Sequence, residues 1–217
     1  MKTPREIYAQ YDILQSLQLH QLRAAAVAKM ICEHFTQSIN ARDVTLACLF
    51  HDMGNIIKSN LEVFPDFLKP KGREYWEGVK KDFITKYGTD EHAATVAIAR
   101  EIGLREGAIR YIDGIGFTML AATRDSSSYE QKICEYADLR VGPHGVLSLD
   151  ERIEEARVRY VEHHQDMSTD RSRFAILLAA AREVEHQIFV NENIRPEDIN
   201  DASVAPLIQE LWEYPVS

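Results

Sequence analysis

The stretch that decides the fold is ARDVTLACLFHDMGNIIK, residues 41–58. Val44, Ala47, Cys48 and His51 recur at i, i+3, i+4 and i+7, one face of a helix, so a helix is predicted over 41–53. Gly54 and Asn55 then stop it. The apolar stripe ends on an imidazole, and Asp52 lies one turn after Cys48 and Leu49. Both side chains therefore point partly inward at a helix C-terminus, where the macrodipole and desolvation disfavour a carboxylate. Something cationic must compensate, and a metal ion is the economical candidate.

The helical period continues outward in both directions. Residues 4–37 read as two helical stretches that break near Gln18. A connection with a short turn around Phe64-Pro65 fills 54–71, and a helix from about 73 to 87 ends at Gly88. Thr89 is read as the cap of the next helix, with Asp90 and Glu91 in its first turn. Gly103, Gly107, Gly114 and Gly116 cut 105–124 into short helices. Ser126 to Ser128 cap a helix reaching about Val141, which Gly142-Pro143 stops. Ser148 with Glu151 reads as a capping box, opening a helix with Leu149, Ile153, Ala156 and Tyr160 inward. Phe174, Leu177, Leu178, Ala181, Val184 and Ile188 mark a long amphipathic helix. Pro196 is read as the start of a last one, ending before Pro215. With no alternating strand pattern and no internal repeat, the expectation is an all-α chain forming a single domain over 1–217.

Composition bounds the function. The 217 residues are 45% hydrophobic and 27% charged, with 10 Gly and 7 Pro, which excludes disorder and collagen-like repeats. A net charge of −9 argues against a fold-wide basic surface, so nucleic acid is not an expected partner, although a local basic pocket is compatible with it. No apolar run approaches the roughly 20 residues of a membrane span. The first residues, MKTPREIYAQYDILQ, lack an apolar core, so no signal peptide is expected. Cys32, Cys48 and Cys134 show no CxxC spacing and read as small buried hydrophobes in a reducing cytoplasm.

Two further residues stand out against apolar surroundings. His20 shares a helix face with Leu17, Ala24, Val27 and Ile31; it reads either as a satisfied core histidine or as a ligand. Asp138, in KICEYADLRV, needs a partner, which could be Arg140, Arg23 or a metal. In the order His20, His51-Asp52, Asp138, three inward-facing helices supply two imidazoles and two carboxylates. That set suits one divalent ion of intermediate hardness: Mn, Fe, Co, Ni, Zn or Mg.

With these residues in view, the chain resembles the HD domain superfamily of metal-dependent phosphohydrolases, whose motif is H…HD…D on a helical core. The matching stretches are LQLHQLRAAAVAKMI, LACLFHDMGNIIK and KICEYADLRV. The resemblance covers about 10–142 and leaves 148–214 as a C-terminal helical cover. It implies a helical bundle and a divalent metal on His20, His51, Asp52 and Asp138. It also implies hydrolysis of a phosphomonoester or phosphoanhydride in a small phosphorylated metabolite, a nucleotide foremost. Asp52 could also steer the nucleophile.

His92, in TDEHAATVAIAREIG, resembles a block found in subgroups with extra histidines. The further histidine those subgroups carry is replaced here by Asp113 in RYIDGIGF. His92 is therefore a candidate catalytic acid or phosphate contact, with a plain helix N-terminal residue as the alternative. Many relatives place a lysine directly after the HD-x-G turn; this chain has Asn55, and Lys58 is the nearest base, a candidate for catalysis and substrate binding. Arg23 and Arg140 are candidate phosphate contacts or charge partners. These departures keep a second class open, a nucleotide-sensing module without turnover. His144 is a candidate lip residue, whereas His34, His186 and His163-His164 read as surface. The amphipathic helix at 172–190 could cover the core or a second copy in a homo-oligomer.

Overall fold

Five consecutive residues, Ala24 to Ala28, have no solvent exposure at all. Five residues exceed one helical turn, so their helix is enclosed on every side, and small side chains let its neighbours approach closely. The computed structural model describes residues 2–63, 65–163 and 171–216, apart from the side chains at 156, 158–163 and 171–173. Phe64, His164 and the side chains of Ala156, Tyr160 and His163, with the inward placement expected for Ala156 and Tyr160, fall outside what is described.

The fold is all-α. Its helices are α1 (Pro4–Gln10), α2 (Gln15–His34), α3 (Ala41–Phe50), α4 (Arg73–Tyr87), α5 (Glu91–Glu101), α6 (Glu106–Asp113), α7 (Leu120–Asp125), α8 (Tyr129–Leu139), α9 (Leu149–His163), α10 (Arg171–Phe189) and α11 (Asp201–Leu211). Among the described residues the only extended pairing is an isolated antiparallel bridge, Val141 with Val146. The enclosed helix α2 packs on α3, α8 and α11, and α3 packs in turn on α6 and α8. A smaller apolar cluster, Leu120, Leu139, Leu149, Leu177, Ala180 and Ala181, ties α7, α8 and α9 to α10. In the C-terminal part, α10 covers α7 and α8 and sends Val184 and Ile188 into the main core, where Val204 and Leu211 of α11 also lie.

Several boundaries differ from the sequence reading, among them the end of α2 at His34 rather than 37 and Gly107, which lies inside α6. The first break lies at 11–14 rather than near Gln18: Asp12 turns the chain at φ 47°, and Gln18 sits inside α2, its amide donating to the Ile13 carbonyl. Helix α3 stops at Phe50, so His51 to Gly54 form a turn instead of helix. Asp90, not Thr89, caps α5, because its carboxylate accepts both the His92 and Ala93 N–H groups. Pro196 opens only a short 3-10 turn, and Asn200 caps the helix that follows. The Ser148–Glu151 capping box is present as expected.

Candidate metal centre

The turn after α3 carries the centre of the site. His51 caps α3, and its Nδ1 lies 2.8 Å from the Cys48 carbonyl. A carbonyl only accepts, so Nδ1 carries a proton and Nε2 is turned toward the other candidate ligands. His20 Nε2, from α2, lies 3.2 Å from His51 Nε2 and 2.9 Å from Asp138 Oδ1 on α8. Asp138 Oδ1 is 3.2 Å from His51 Nε2. Asp52 Oδ2 stands 3.5 Å from His20 Nε2 and 3.8 Å from His51 Nε2. Donor atoms about 2.1 Å from one ion sit roughly 3 Å apart at neighbouring corners, so the cluster has the dimensions of a coordination shell. One ligand atom from each of His20, His51 and Asp52 falls within 4.8 Å of the others, and Asp138 joins them through its contacts with the two imidazoles. Two imidazoles and two carboxylates are also the donor set a divalent transition ion takes.

Backbone contacts fix this turn in place. The wholly buried Gln21, next to His20, accepts the Asp52 N–H on its Oε1 at 3.1 Å. The Gly54 N–H donates to Thr95 Oγ1 of α5 at 2.8 Å, and that hydroxyl donates to the Glu91 carbonyl. A β-carbon at residue 54 would stand 2.9 Å from both Ala94 Cβ and Thr95 Oγ1 and would also collide with the Glu91 carbonyl. Glycine is therefore required by close approach, and the approach locks the ligand turn to the helix that carries His92.

Charge inside the cluster follows from burial and pairing. Burial alone would keep His51 neutral, but Asp52 and Asp138 outweigh it and push the imidazole up to about 10. Burial likewise opposes ionisation of Asp138, yet His51 and His20 hold its carboxyl well below the usual range. Without a metal, an imidazolium therefore supplies the compensating positive charge that the carboxylates need. One turn before Asp138, the wholly buried Glu135 accepts the Gly116 N–H on Oε2 at 2.8 Å. Burial pushes its carboxyl up to about 8, with Asp138 adding to the shift and the Gly116 N–H and His51 opposing it. Its Oε1 has no hydrogen-bond partner among the described residues.

The cluster forms part of the lining of a cavity of about 1020 Å³. His92 and Asp113 line the same space, Nε2 to Oδ1 at 3.2 Å, both substantially exposed. Lys58 also lines it, exposed and paired with Glu91 at 3.2 Å. The two arginines do not contribute as expected. Arg140 is buried, and its guanidinium donates to the Leu147, Pro196 and Ile199 carbonyls and the Tyr136 hydroxyl, so it has no reach to a phosphate. Arg23 is half-buried on α2 and is not among the lining residues. His144 is exposed and packs edge-on against Phe67, a lining residue. His34 and His186 are exposed; Cys48 and Cys134 are buried and Cys32 half-buried, all as free thiols.

Gln21, Thr95 and Glu135 were not singled out from the sequence. Each is a polar residue at a buried position of a helix, and that mismatch was the only signal available. Among the described residues, no helix is long and apolar enough to cross a membrane. No family model, curated protein or solved structure matches the chain.

Proposed function

We propose that this chain is a metal-dependent phosphohydrolase of the HD type, acting in the cytoplasm on a small phosphorylated metabolite, a nucleotide foremost. The observation that supports it is the convergence of His20, His51, Asp52 and Asp138, from three separate parts of the chain, in the lining of a large cavity. These four residues would hold a divalent ion, which supplies Lewis acidity to activate water and polarise a phosphoryl oxygen. His51 serves as a ligand only after losing its Nε2 proton, and the Cys48 carbonyl keeps the remaining proton on Nδ1. Asp52 stands farther from the imidazoles than Asp138 does, which leaves its carboxylate best able to hold and orient the attacking water. His92, aligned by Asp113, offers a proton to the leaving oxygen. Lys58 meets phosphate charge at the cavity, once it exchanges its hold on Glu91. Arg140 and Arg23 have no part in it.

The test is elemental analysis of the purified protein together with phosphate release from a panel of phosphate esters. The expected result is close to one equivalent of a transition ion or Mg, and turnover that chelation abolishes. Asp52→Asn should lose both metal retention and turnover; hydrolysis at the parent rate by that variant would refute the assignment.

A further inference from the structure

The cavity's lining extends beyond the ligand cluster to residues of several other elements, and it is unusual for a phosphate site. Leu17, Leu61 and Phe67 contribute apolar surface, joined by Phe117 and Met119 from the segment after α6. Phe117 and Met119 are 37% and 42% exposed, two of the few large apolar side chains left open to solvent among the described residues. Phe117 packs on Phe174 of α10, ring centroids 5.7 Å apart, and both it and Met119 line the cavity. The segment is held in position: the Gly116 N–H is tied to the buried Glu135 carboxyl, on the same helix as Asp138. One helix therefore sets both the ligand cluster and the apolar wall.

Charge runs against a polyanion. Among the described lining residues only Lys58 and Arg152 are cationic, setting the histidines aside. Lys58 is paired with Glu91, and Arg152 donates to Glu155 and to the Val141 carbonyl. Four carboxylates, Asp52, Glu91, Asp113 and Asp138, face the same space. One divalent ion would about balance that excess, and the α5 N-terminus, which brings Glu91 and His92 to the lining, is already capped by the Asp90 carboxylate. Polyphosphate sites meet the charges of a second or third phosphate with Lys, Arg or helix N-termini. The volume, near the top of the roughly 300–1,000 Å³ range for drug-sized ligands, is far larger than a phosphate needs.

Resting on the hydrolase reading, we infer that the substrate is a phosphomonoester with a large apolar or aromatic body, and that nucleoside polyphosphates are discriminated against. The phosphoryl group meets the ligand cluster, and the body packs against Phe117, Met119 and Phe67.

Titration calorimetry on the full chain, with Mn²⁺ in excess of every ligand, tests this with the non-hydrolysable phosphonate analogues of 1-naphthyl phosphate, glycerol 2-phosphate and ATP. Phosphate release from the esters and ATP themselves is followed in parallel. The expected order has the 1-naphthyl analogue bound at least about tenfold more tightly than either of the others. Phe117→Ala, a change at a solvent-exposed site, should reduce that preference by about tenfold. The ATP or glycerol 2-phosphate analogue binding as tightly as the aryl one, or no binding of the aryl analogue at all, would overturn the inference. Absence of phosphate release from every ester with Mn, Fe, Co, Ni, Zn or Mg would instead overturn the hydrolase reading alone, because the binding order is measured without turnover.

Discussion

His51 and His92 each stand 3.2 Å from an aspartate oxygen on the same cavity, yet their surroundings differ sharply. The His51 side chain is 2% exposed and its partner Asp138 27%; for His92 and Asp113 the values are 41% and 70%. At one distance, the surrounding dielectric decides how strongly two charges couple. The buried pair is strongly coupled: each partner holds the other in its charged form. The open pair is screened by water and contributes about 0–1 kcal/mol. One pair is enclosed by the fold, the other open to water.

The sharpest way to break this contrast is to disarm the buried pair. Asp138→Asn should abolish metal retention and reduce phosphate release by about 10³-fold or more, several kcal/mol of transition-state stabilisation. The metal-free variant should also lose about 3 kcal/mol of stability, since a buried imidazolium is left short of a partner. Metal content and chemical denaturation measure the two effects; a variant that keeps its metal would remove Asp138 from the site. His92→Gln should lower kcat by about 10²-fold, while metal content is kept and stability stays within about 0.5 kcal/mol. Loss of metal from His92→Gln would mean that the two pairs are one site.

The smallest effect sharpens the comparison from beneath the cluster. Glu135 has its carboxyl raised from 4.5 to about 8, so the folded protein binds that proton more tightly than the unfolded chain. Its contribution to stability is fully present below about pH 4.5 and is lost as pH rises to about 8. Glu135→Gln should flatten that part of the pH dependence in chelator-treated protein. Denaturation curves across the window check it, and an unaltered slope would sink the assignment.

The residues that make the cluster were legible because each breaks a pattern. A histidine and an aspartate at the end of an apolar stripe, and an aspartate inside another, are costly unless they meet, and they do meet. The helical period likewise gave the right class and most of the helices. What stayed hidden depends on tertiary partners. Nothing in the local sequence distinguishes Arg140, whose guanidinium is taken up by carbonyls from 147 to 199, from an arginine turned toward a phosphate. Nothing adjacent to His92 shows that Asp113 lies across from it. Helix ends shifted for the same reason: Asp12 and Asp90 act through a φ angle and a side-chain bond, which periodicity does not encode.

Arg140 has a consequence for how the chain could be shortened. The motif-bearing stretch ends near residue 142, but the guanidinium at its edge takes its acceptors from Leu147, Pro196 and Ile199. A fragment trimmed to the motif would strand a buried cation at the foot of the helix that presents Asp138. A piece of the chain that keeps every acceptor of Arg140 therefore extends to Ile199, some sixty residues beyond Asp138.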